Sequence, residues 1–283
     1  MDLSQAYKDL ARRLEPRYGH REAGLIANWV MERLTGLGKL ERLVRKTEPL
    51  SAAMSADYER YTIELVAGRP VQYVLGESWF CGMKFYVDER VLIPRPETEE
   101  LVEWVISEVS SAPGPTLLDV GTGSGCIAIS LARRLPAASV YACDISPDAL
   151  AVASRNAAAL DARVEFRELD FLAGTSWDHL PKPDCLVSNP PYIPYSERGS
   201  MAAHVVDNEP ALALFVPNED ALVFYRALGK FARQQLPAKG ALYAEIHEDL
   251  GTAVRETLLA EGAKEVILRK DLQGKDRMVK AVW

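Results

Sequence analysis

The sequence predicts an α/β protein, with a small helical domain followed by a larger doubly wound sheet. Three observations lead to this class. Residues 1–68 carry apolar side chains at helical spacing, and residues 71–93 are rich in β-prone side chains. From residue 96 onward, apolar strand-like runs alternate with amphipathic helices. A length of 283 residues accommodates two domains that can each bury a core.

Composition and charge narrow the possible functions. Hydrophobic residues make up 48% and charged residues 26%, as in a folded globular protein. Lys and Arg total 33 against 40 Asp and Glu, which gives a formal charge of −7. Because nucleic-acid binding depends largely on phosphate neutralisation, this balance argues against broad contact with a duplex. The sequence has neither a membrane-length apolar run nor signal-peptide blocks, so we expect a cytoplasmic protein without membrane contact.

Cysteine and histidine give no sign of a metal site. The chain has four of each, with no Cys-x-x-Cys pair and no HExxH motif. Cys126, Cys143 and Cys185 lie in apolar stretches, where a free cysteine behaves as a small hydrophobic residue. We therefore expect no metal cofactor.

The first domain is predicted to span residues 1–70 and to be helical. Apolar residues from Leu3 to Leu14 follow the i, i+3, i+4 spacing of an amphipathic helix. Further helices are predicted at 22–34, ended by the following glycines, and at 56–67. Within residues 1–60, eleven Lys and Arg stand against nine Asp and Glu. Such a weakly basic surface is ordinarily no more than solvated helix faces.

Residues 71–95 are predicted to form a β-hairpin that links the two domains. Their aromatic and β-branched residues are punctuated by Gly76 and Gly82. The segment runs into Arg95-Pro-Glu-Thr-Glu99, where Pro96 suits the first turn of a helix. The second domain is therefore placed at residues 96–283.

The second domain is predicted to contain seven strands separated mainly by helices. The strands are predicted at 116–120, 138–144, 163–168, 183–188, 240–246, 264–269 and 277–282. The helices are predicted at 97–109, 124–135, 147–160, 220–236 and 250–261. Apolar strands between helices indicate a parallel sheet covered on both faces. The loop 271–276 is too short for a helical crossover, so the last strand should be antiparallel.

A glycine-rich turn follows the first strand of this sheet. Residues 121–125 are Gly-Thr-Gly-Ser-Gly, between an apolar strand and an apolar helix. Glycines permit a tight turn and a close approach of backbone to a ligand at the carboxyl end of a strand. By itself such a turn is a weak signal of a ligand site.

Two candidate ligand residues follow the next strands. Asp144 ends the second strand, nineteen residues after Gly125, where a carboxylate can accept both ribose hydroxyls. An equally simple interpretation is that Asp144 belongs to the cap of the helix beginning at Pro147. Leu169-Asp-Phe171 follows the third strand, in a position suited to holding an adenine ring.

The most specific motif is Asn189-Pro190-Pro191-Tyr192, directly after the fourth strand. Each proline fixes φ near −65° and donates no N–H, so the turn is stiff and its carbonyls are free to face a ligand. Asn189 is thereby held at the tip of the strand. Together with the glycine-rich turn, the motif resembles class I S-adenosylmethionine-dependent methyltransferases that modify amide or amine nitrogens.

Further motifs resemble one family within that class. They are Gly68-Arg-Pro70, Arg95-Pro-Glu-Thr-Glu99, Asp207-Asn-Glu-Pro210 and Asp271-Leu-Gln-Gly-Lys-Asp-Arg277. Across essentially the whole chain, the sequence is similar to the peptide chain release factor glutamine methyltransferase family. That family methylates N5 of the glutamine in the Gly-Gly-Gln loop of class-1 release factors.

The resemblance implies a Rossmann-like fold that binds S-adenosyl-L-methionine and releases S-adenosyl-L-homocysteine. The implied cofactor-binding residues are Gly121, Thr122, Gly123, Ser124, Gly125, Asp144, Phe171 and Asn189. The implied catalytic residues are Asn189, Pro190 and Tyr192, and the implied substrate-binding residues are these three with Pro191, Arg95 and Glu97. It also implies that the helical domain, with the hairpin, docks the release factor. We expect a monomer, and the acidic charge predicts no direct contact to nucleic acid.

Other functions share some of these motifs. A glutamine methyltransferase that acts on a large-subunit ribosomal protein would carry the same catalytic motif with a different docking domain. A DNA amino-methyltransferase also carries it, but normally has a basic target-recognition region, whereas this chain is acidic. A cofactor-binding scaffold without turnover would have no need of an intact Asn-Pro-Pro-Tyr motif.

Overall fold

The computed structural model describes residues 1–109, 112–174 and 177–283. The chain divides into two units: Met1–Glu77 with Ala203–Asn208, and Ser78–Ala202 with Glu209–Trp283. No helix in the described ranges has the length and apolar character needed to cross a bilayer.

The α-helices and strands are numbered along the chain. The helices are α1 Leu3–Thr35, α2 Lys39–Val44, α3 Ala52–Ala67, α4 Val71–Leu75, α5 Pro96–Val109, α6 Cys126–Arg134, α7 Pro147–Ala159, α8 Ala203–Val206, α9 Ala211–Leu214, α10 Val223–Gln235 and α11 Gly251–Ala260. The strands are β1 Ser78–Phe80, β2 Met83–Phe85, β3 Thr116–Val120, β4 Ser139–Asp144, β5 Glu165–Glu168, β6 Cys185–Ser188, β7 Ile193–Pro194, β8 Phe215–Val216, β9 Ala241–Glu245, β10 Glu265–Lys270 and β11 Asp276–Val282.

The first unit has a core formed mainly by α1 and α3. The Asp2 side chain caps α1 by accepting a hydrogen bond from the Gln5 N–H. The two helices predicted at 3–14 and 22–34 both lie in α1, which is interrupted by the non-helical backbone of Gly19. Gly36 ends α1 in the left-handed conformation, which confirms the prediction that a glycine ends this helix. The buried core residues of the first unit include Leu10, Leu14, Val30, Met31, Tyr58 and Leu65.

The prediction of a β-hairpin over 71–95 is wrong for its first part. Residues 71–75 form the short helix α4, which ends at Gly76 with φ 66°. The β-prone residues Val71, Val74 and Leu75 are buried in the core of the first unit, so packing outweighs their local preference. The hairpin itself consists of β1 and β2, paired antiparallel with Phe80 opposite Met83.

In the second unit, seven of the described strands form one sheet in the order β10-β11-β9-β6-β3-β4-β5. The strands β3, β4, β5, β6 and β9 are parallel. β11 runs antiparallel to both β9 and β10, which confirms the predicted reversed strand. The strand order changes direction between β3 and β6, and ligands bind at such switch points in open α/β sheets.

Apolar side chains cover both faces of this sheet. One core includes Leu228 and Phe231 of α10 with Leu258 of α11. The other includes Leu101 of α5 and Ile129 of α6. Helices therefore pack on both faces, and the predicted doubly wound α/β class is confirmed. The short elements α2, α8, α9, β7 and β8 were not predicted, because stretches of two to six residues carry too little periodicity.

Candidate active site

The glycine-rich turn joins β3 to α6, and all three of its glycines have positive φ. The angles are 73° for Gly121, 53° for Gly123 and 81° for Gly125. A Cβ atom on Gly125 would lie 2.8 Å from Ile129 Cδ1, whereas one on Gly121 or Gly123 would meet open space. The third glycine thus leaves room for the Ile129 side chain of α6, and the first two leave open space beside the turn.

Asp144, at the end of β4, holds this turn. Its Oδ2 accepts a hydrogen bond from the Gly123 N–H at 2.9 Å, and its Oδ1 accepts one from the Ser146 N–H at 3.0 Å. Burial raises the pKa of the Asp144 carboxyl, although these backbone N–H groups favour its charged form. The side-chain cap of α7 is Ser146, which accepts from the Ala149 N–H, so Asp144 is not that cap.

Thr122 and Ser124 hold the turn in place through hydrogen bonds to other parts of the second unit. The Thr122 hydroxyl donates to Asp119 Oδ2 at 2.7 Å, and Asp119 is 1% exposed. The Ser124 carbonyl accepts from Asn156 Nδ2 at 2.9 Å, and the same amide group donates to the Tyr86 carbonyl. These contacts tie the turn to α7 and to the chain after the hairpin.

A cavity of about 260 Å³ lies beside the turn. The predicted site residues that line it are Gly121, Gly123, Asp144, Phe171, Asn189 and Pro191. Leu169 and Asp170 of the segment predicted to hold the adenine ring line it as well. Its wall also includes residues for which no role was predicted, namely Arg90, Val91, Leu92, Ile145, Ser146, Leu212, Ala213 and Phe224. Ile145 is 45% exposed although it follows a core strand, and an apolar residue after the strand-end acid is the signal that could have identified it.

Phe171 has a second role in the core. It is 4% exposed, and its ring lies 5.4 Å from the rings of both Trp177 and Phe231. The Trp177 indole N–H donates to the Phe171 carbonyl at 3.0 Å. Phe171 therefore lines the cavity, while much of its ring packs against other core residues. Its contact with adenine stays a prediction.

The Asn-Pro-Pro-Tyr motif leaves the tip of β6 and brings Asn189 and Pro191 to the cavity. Asn189 Nδ2 donates to Thr98 Oγ1 at 3.1 Å. The Tyr192 hydroxyl donates to Glu245 Oε1 at 3.0 Å, and its ring meets the His247 ring edge-on. Burial, followed by the charge of Glu245, raises the pKa of Tyr192 far above its usual range, so the phenol keeps its proton.

Thr98 and Glu245 were not predicted as site residues. Each is 2% exposed, and the two side chains are joined by a hydrogen bond of 2.6 Å. Glu245 ends the apolar strand β9, and a carboxylate at the carboxyl end of a buried strand is the signal that could have identified it. Burial raises the pKa of Glu245, and the hydrogen bonds from Thr98 and Tyr192 oppose that shift.

Arg95 and Glu97 have protein partners. An Arg95 guanidinium N–H donates to Glu209 Oε1 at 2.6 Å, and Glu209 Oε2 accepts from the Ile93 N–H. Glu97 accepts from the Gln273 side chain at 3.1 Å. The cavity lining includes neither Arg95 nor Glu97, so their substrate contacts stay predictions. Within the described ranges, no group of three or more His, Cys, Asp or Glu residues is arranged to hold a metal ion.

The sheet with its reversed strand, the glycine-rich turn and the Asn-Pro-Pro-Tyr motif define a class I methyltransferase. The family model described as the Methyltransferase small domain matches residues 101–210. The hMettl16 catalytic domain shares this fold, with a TM-score of 0.55 at 16% identity over 82% of each chain.

Two relatives identify the family. A release factor glutamine methyltransferase from Flavobacterium psychrophilum is 42% identical, over 89% of this chain and 88% of its own length. One from Bacteroides thetaiotaomicron is 41% identical over 95% of each chain. The model described as the PrmC N-terminal domain matches residues 5–76. The chain belongs to the release factor glutamine methyltransferase family, which confirms the resemblance in the motifs.

Asp119 beneath the glycine-rich turn predicts a pH dependence of folding stability. Burial raises its pKa from 3.8 to about 7, and the hydrogen bond from Thr122 offsets part of the shift. Below the unfolded pKa of 3.8 the carboxyl is neutral in both states, and its contribution to the free energy of unfolding is fully present. This contribution is lost as the pH rises through the folded-state pKa of about 7. At about 1.4 kcal/mol for each pKa unit, the loss is at most about 4 kcal/mol.

The Asp119→Asn side chain does not ionise, so the free energy of unfolding should fall less steeply with pH than in the wild type. Urea denaturation at a series of pH values between these two pKa values measures the slope. Asp148→Asn, on the exposed first turn of α7, is the control and should keep the wild-type slope. Equal slopes for the wild type and Asp119→Asn would show that Asp119 does not titrate in this way.

Proposed function

We propose that the protein transfers a methyl group from S-adenosyl-L-methionine to N5 of the glutamine in the Gly-Gly-Gln motif of class-1 peptide chain release factors. The observation that carries this proposal is that Gly121, Asp144 and Asn189 face one cavity, although each follows a different strand. Membership of the family supports the choice of substrate. The products would be N5-methylglutamine, S-adenosyl-L-homocysteine and the proton that the amide nitrogen loses.

The cavity residues fit a nucleoside cofactor. Gly121 and Gly123 leave open space where a side chain would otherwise stand. The Asp144 carboxylate in the lining can accept ribose hydroxyls, and Val91, Leu92 and Ile145 provide an apolar wall for a base. When bound, S-adenosyl-L-methionine supplies a methyl group on a positively charged sulfur.

The Asn-Pro-Pro-Tyr motif fits a glutamine side chain. An amide nitrogen is a poor nucleophile, because its lone pair is delocalised into the carbonyl. The Asn189 carbonyl oxygen and a neighbouring backbone carbonyl can both accept from the NH2 group, which would turn the nitrogen lone pair toward the methyl donor. The rigid prolines hold both acceptors, and Tyr192 can stack on the planar amide. Catalysis would then depend on proximity and electrostatics.

The helical unit is proposed as the docking domain for the release factor, with residues 1–70 as its main part. Several large apolar side chains of this unit are exposed: Leu25, Trp29, Leu40, Leu43, Val44 and Ile63. Exposed apolar groups among basic side chains suit a protein partner. We expect the enzyme to act as a monomer in the cytoplasm, without direct contact to nucleic acid.

Methylation of a large-subunit ribosomal protein and of DNA are the competing activities. The relatives are named for the release factor, which favours the main proposal over the ribosomal protein. The formal charge of −7 disfavours a DNA substrate.

Incubation with methyl-labelled S-adenosyl-L-methionine tests the substrate. A purified class-1 release factor should become labelled on the glutamine of Gly-Gly-Gln, as located by peptide mass spectrometry. A release factor with alanine at that glutamine is the control and should stay unlabelled. Label that enters only a ribosomal protein or DNA would overturn the proposal.

Asn189→Ala tests the amide clamp. Removing one preorganised hydrogen-bond partner of the reacting group should lower kcat by at least ~10²-fold. Single-turnover assays with release factor measure this change, and Asn218→Ala, at an exposed loop position that accepts from the Ser196 N–H, is the control. Turnover close to wild type in Asn189→Ala would show that another group holds the substrate amide.

Asp144→Ala tests the ribose site. Loss of the carboxylate removes the ribose acceptor and frees the Gly123 N–H, so the Kd for S-adenosyl-L-methionine should rise at least ~10-fold. Isothermal titration calorimetry measures this constant, and Asp148→Ala, in the first turn of α7, is the control that removes the same charge. An unchanged Kd in Asp144→Ala would remove this residue from the cofactor site.

A further inference from the structure

A chain of buried hydrogen bonds lies behind the Asn-Pro-Pro-Tyr motif. Asn189 Nδ2 donates to Thr98 Oγ1 at 3.1 Å, and Thr98 Oγ1 donates to Glu245 Oε2 at 2.6 Å. The Tyr192 hydroxyl donates to the other carboxylate oxygen, Oε1, at 3.0 Å. Among the described residues, the cavity lining includes Asn189 but neither Thr98 nor Glu245.

The sheet places the members of this chain. β6 pairs with β9 in parallel, with Ser188 opposite Ala244. Asn189 directly follows Ser188, and Glu245 directly follows Ala244, so the register sets the two residues at neighbouring strand tips. Thr98 stands in the first turn of α5, where its hydroxyl lies between the two side chains.

The directions of these bonds determine how Asn189 is oriented. A threonine hydroxyl has one hydrogen, and Thr98 gives it to Glu245. Its oxygen can therefore only accept from Asn189, which must turn its NH2 group toward Thr98. The Asn189 carbonyl oxygen is then left for other partners. The opposite orientation of the amide would set two acceptors against each other and would leave both without a hydrogen.

Glu245 is the acceptor at which these hydrogen bonds end. Both of its carboxylate oxygens accept hydrogen bonds, as an ionised carboxylate does. Burial opposes the charge, while the two hydrogen bonds and the positive charge of Arg277 favour it. Arg277 is itself held by Asp271 Oδ2 at 3.1 Å. The Tyr225 hydroxyl donates to the Glu245 backbone carbonyl at 3.0 Å and fixes the end of β9.

We infer that Thr98 and Glu245 are positioning residues that determine which end of the Asn189 amide faces the substrate. By holding the NH2 group, they present the carbonyl oxygen as an acceptor, which recognises the NH2 group of a glutamine and rejects a carboxylate. The same carboxylate holds Tyr192, so one buried charge orients both polar side chains of the motif. The inference rests on the proposed function, since it assumes that Asn189 contacts a glutamine amide.

Thr98→Val and Thr98→Ser form a matched pair, because only the serine keeps the hydroxyl. In single-turnover methylation of release factor, Thr98→Val should lower kcat by about 10²-fold, as misplacement of a reacting group does. The variant should still bind S-adenosyl-L-methionine, since the glycine-rich turn and Asp144 are unchanged, and this binding shows that the variant is folded. Thr98→Ser should restore most of kcat, and Thr257→Val, which removes a hydroxyl on α11, should leave it unchanged.

A second readout follows the orientation of Asn189 directly. The probe is a release factor whose Gly-Gly-Gln glutamine is replaced by glutamate, used as an inhibitor of methylation. In Thr98→Val the Asn189 amide can rotate and donate to the carboxylate, so this probe should inhibit at least about tenfold more strongly than in the wild type. Thr98→Ser should behave as the wild type does.

Several outcomes would overturn the inference. Wild-type turnover in Thr98→Val would do so, as would equal losses in Thr98→Val and Thr98→Ser. Equal inhibition of the wild type and Thr98→Val by the glutamate probe would also do so. Failure of the wild-type enzyme to label release factor would instead refute the proposed function, and the two failures are therefore distinguishable.

Discussion

The parallel strands β3, β4, β6 and β9 end at one edge of the sheet, and the residues that follow them are gathered there by backbone hydrogen bonds. The glycine-rich turn, Asp144, Asn189 and Glu245 each occupy one of these strand ends. Gly121, Gly123, Asp144 and Asn189 line the cavity without long side chains, because the backbone has already brought these residues together. The site is thus a consequence of strand register, and the switch in strand order leaves room for a ligand at this edge.

This arrangement buries two carboxyl groups, and burial makes the charged form of a carboxyl unfavourable. Asp119 and Glu245 are almost fully buried, and burial raises the pKa of each carboxyl. Their hydrogen bonds differ in what they support. Asp119 holds Thr122 beneath the glycine-rich turn, and Glu245 holds Thr98 and Tyr192 behind the Asn-Pro-Pro-Tyr motif. Polar groups in such places constrain the orientation of their neighbours, since any other orientation leaves a buried group unpaired.

Local patterns predicted most of the second unit. The strands and helices lie within a few residues of their predicted bounds, because long apolar runs and amphipathic periods carry a strong signal. The motifs also indicated Gly121, Gly123, Asp144 and Asn189, and all four line one cavity. Residues 71–75 were predicted as strand and are helix, because Val71 and Leu75 are β-prone by type but are buried against α1 and α3. Their neighbours in space, rather than in sequence, decide their conformation.

The sequence by itself determined the fold class and the reversed last strand, because periodicity and loop length are short-range features. Its motifs, through their resemblance to a known family, also indicated the family and the motif residues. The tertiary structure alone decided which side chains face one another. Thr98 and Glu245 are 147 residues apart, and no local pattern relates them. Arg95, predicted to bind substrate, is paired with Glu209, which lies 114 residues away in the chain. Contacts across such distances depend on how the strands and helices pack, and this packing is a property of the whole second unit.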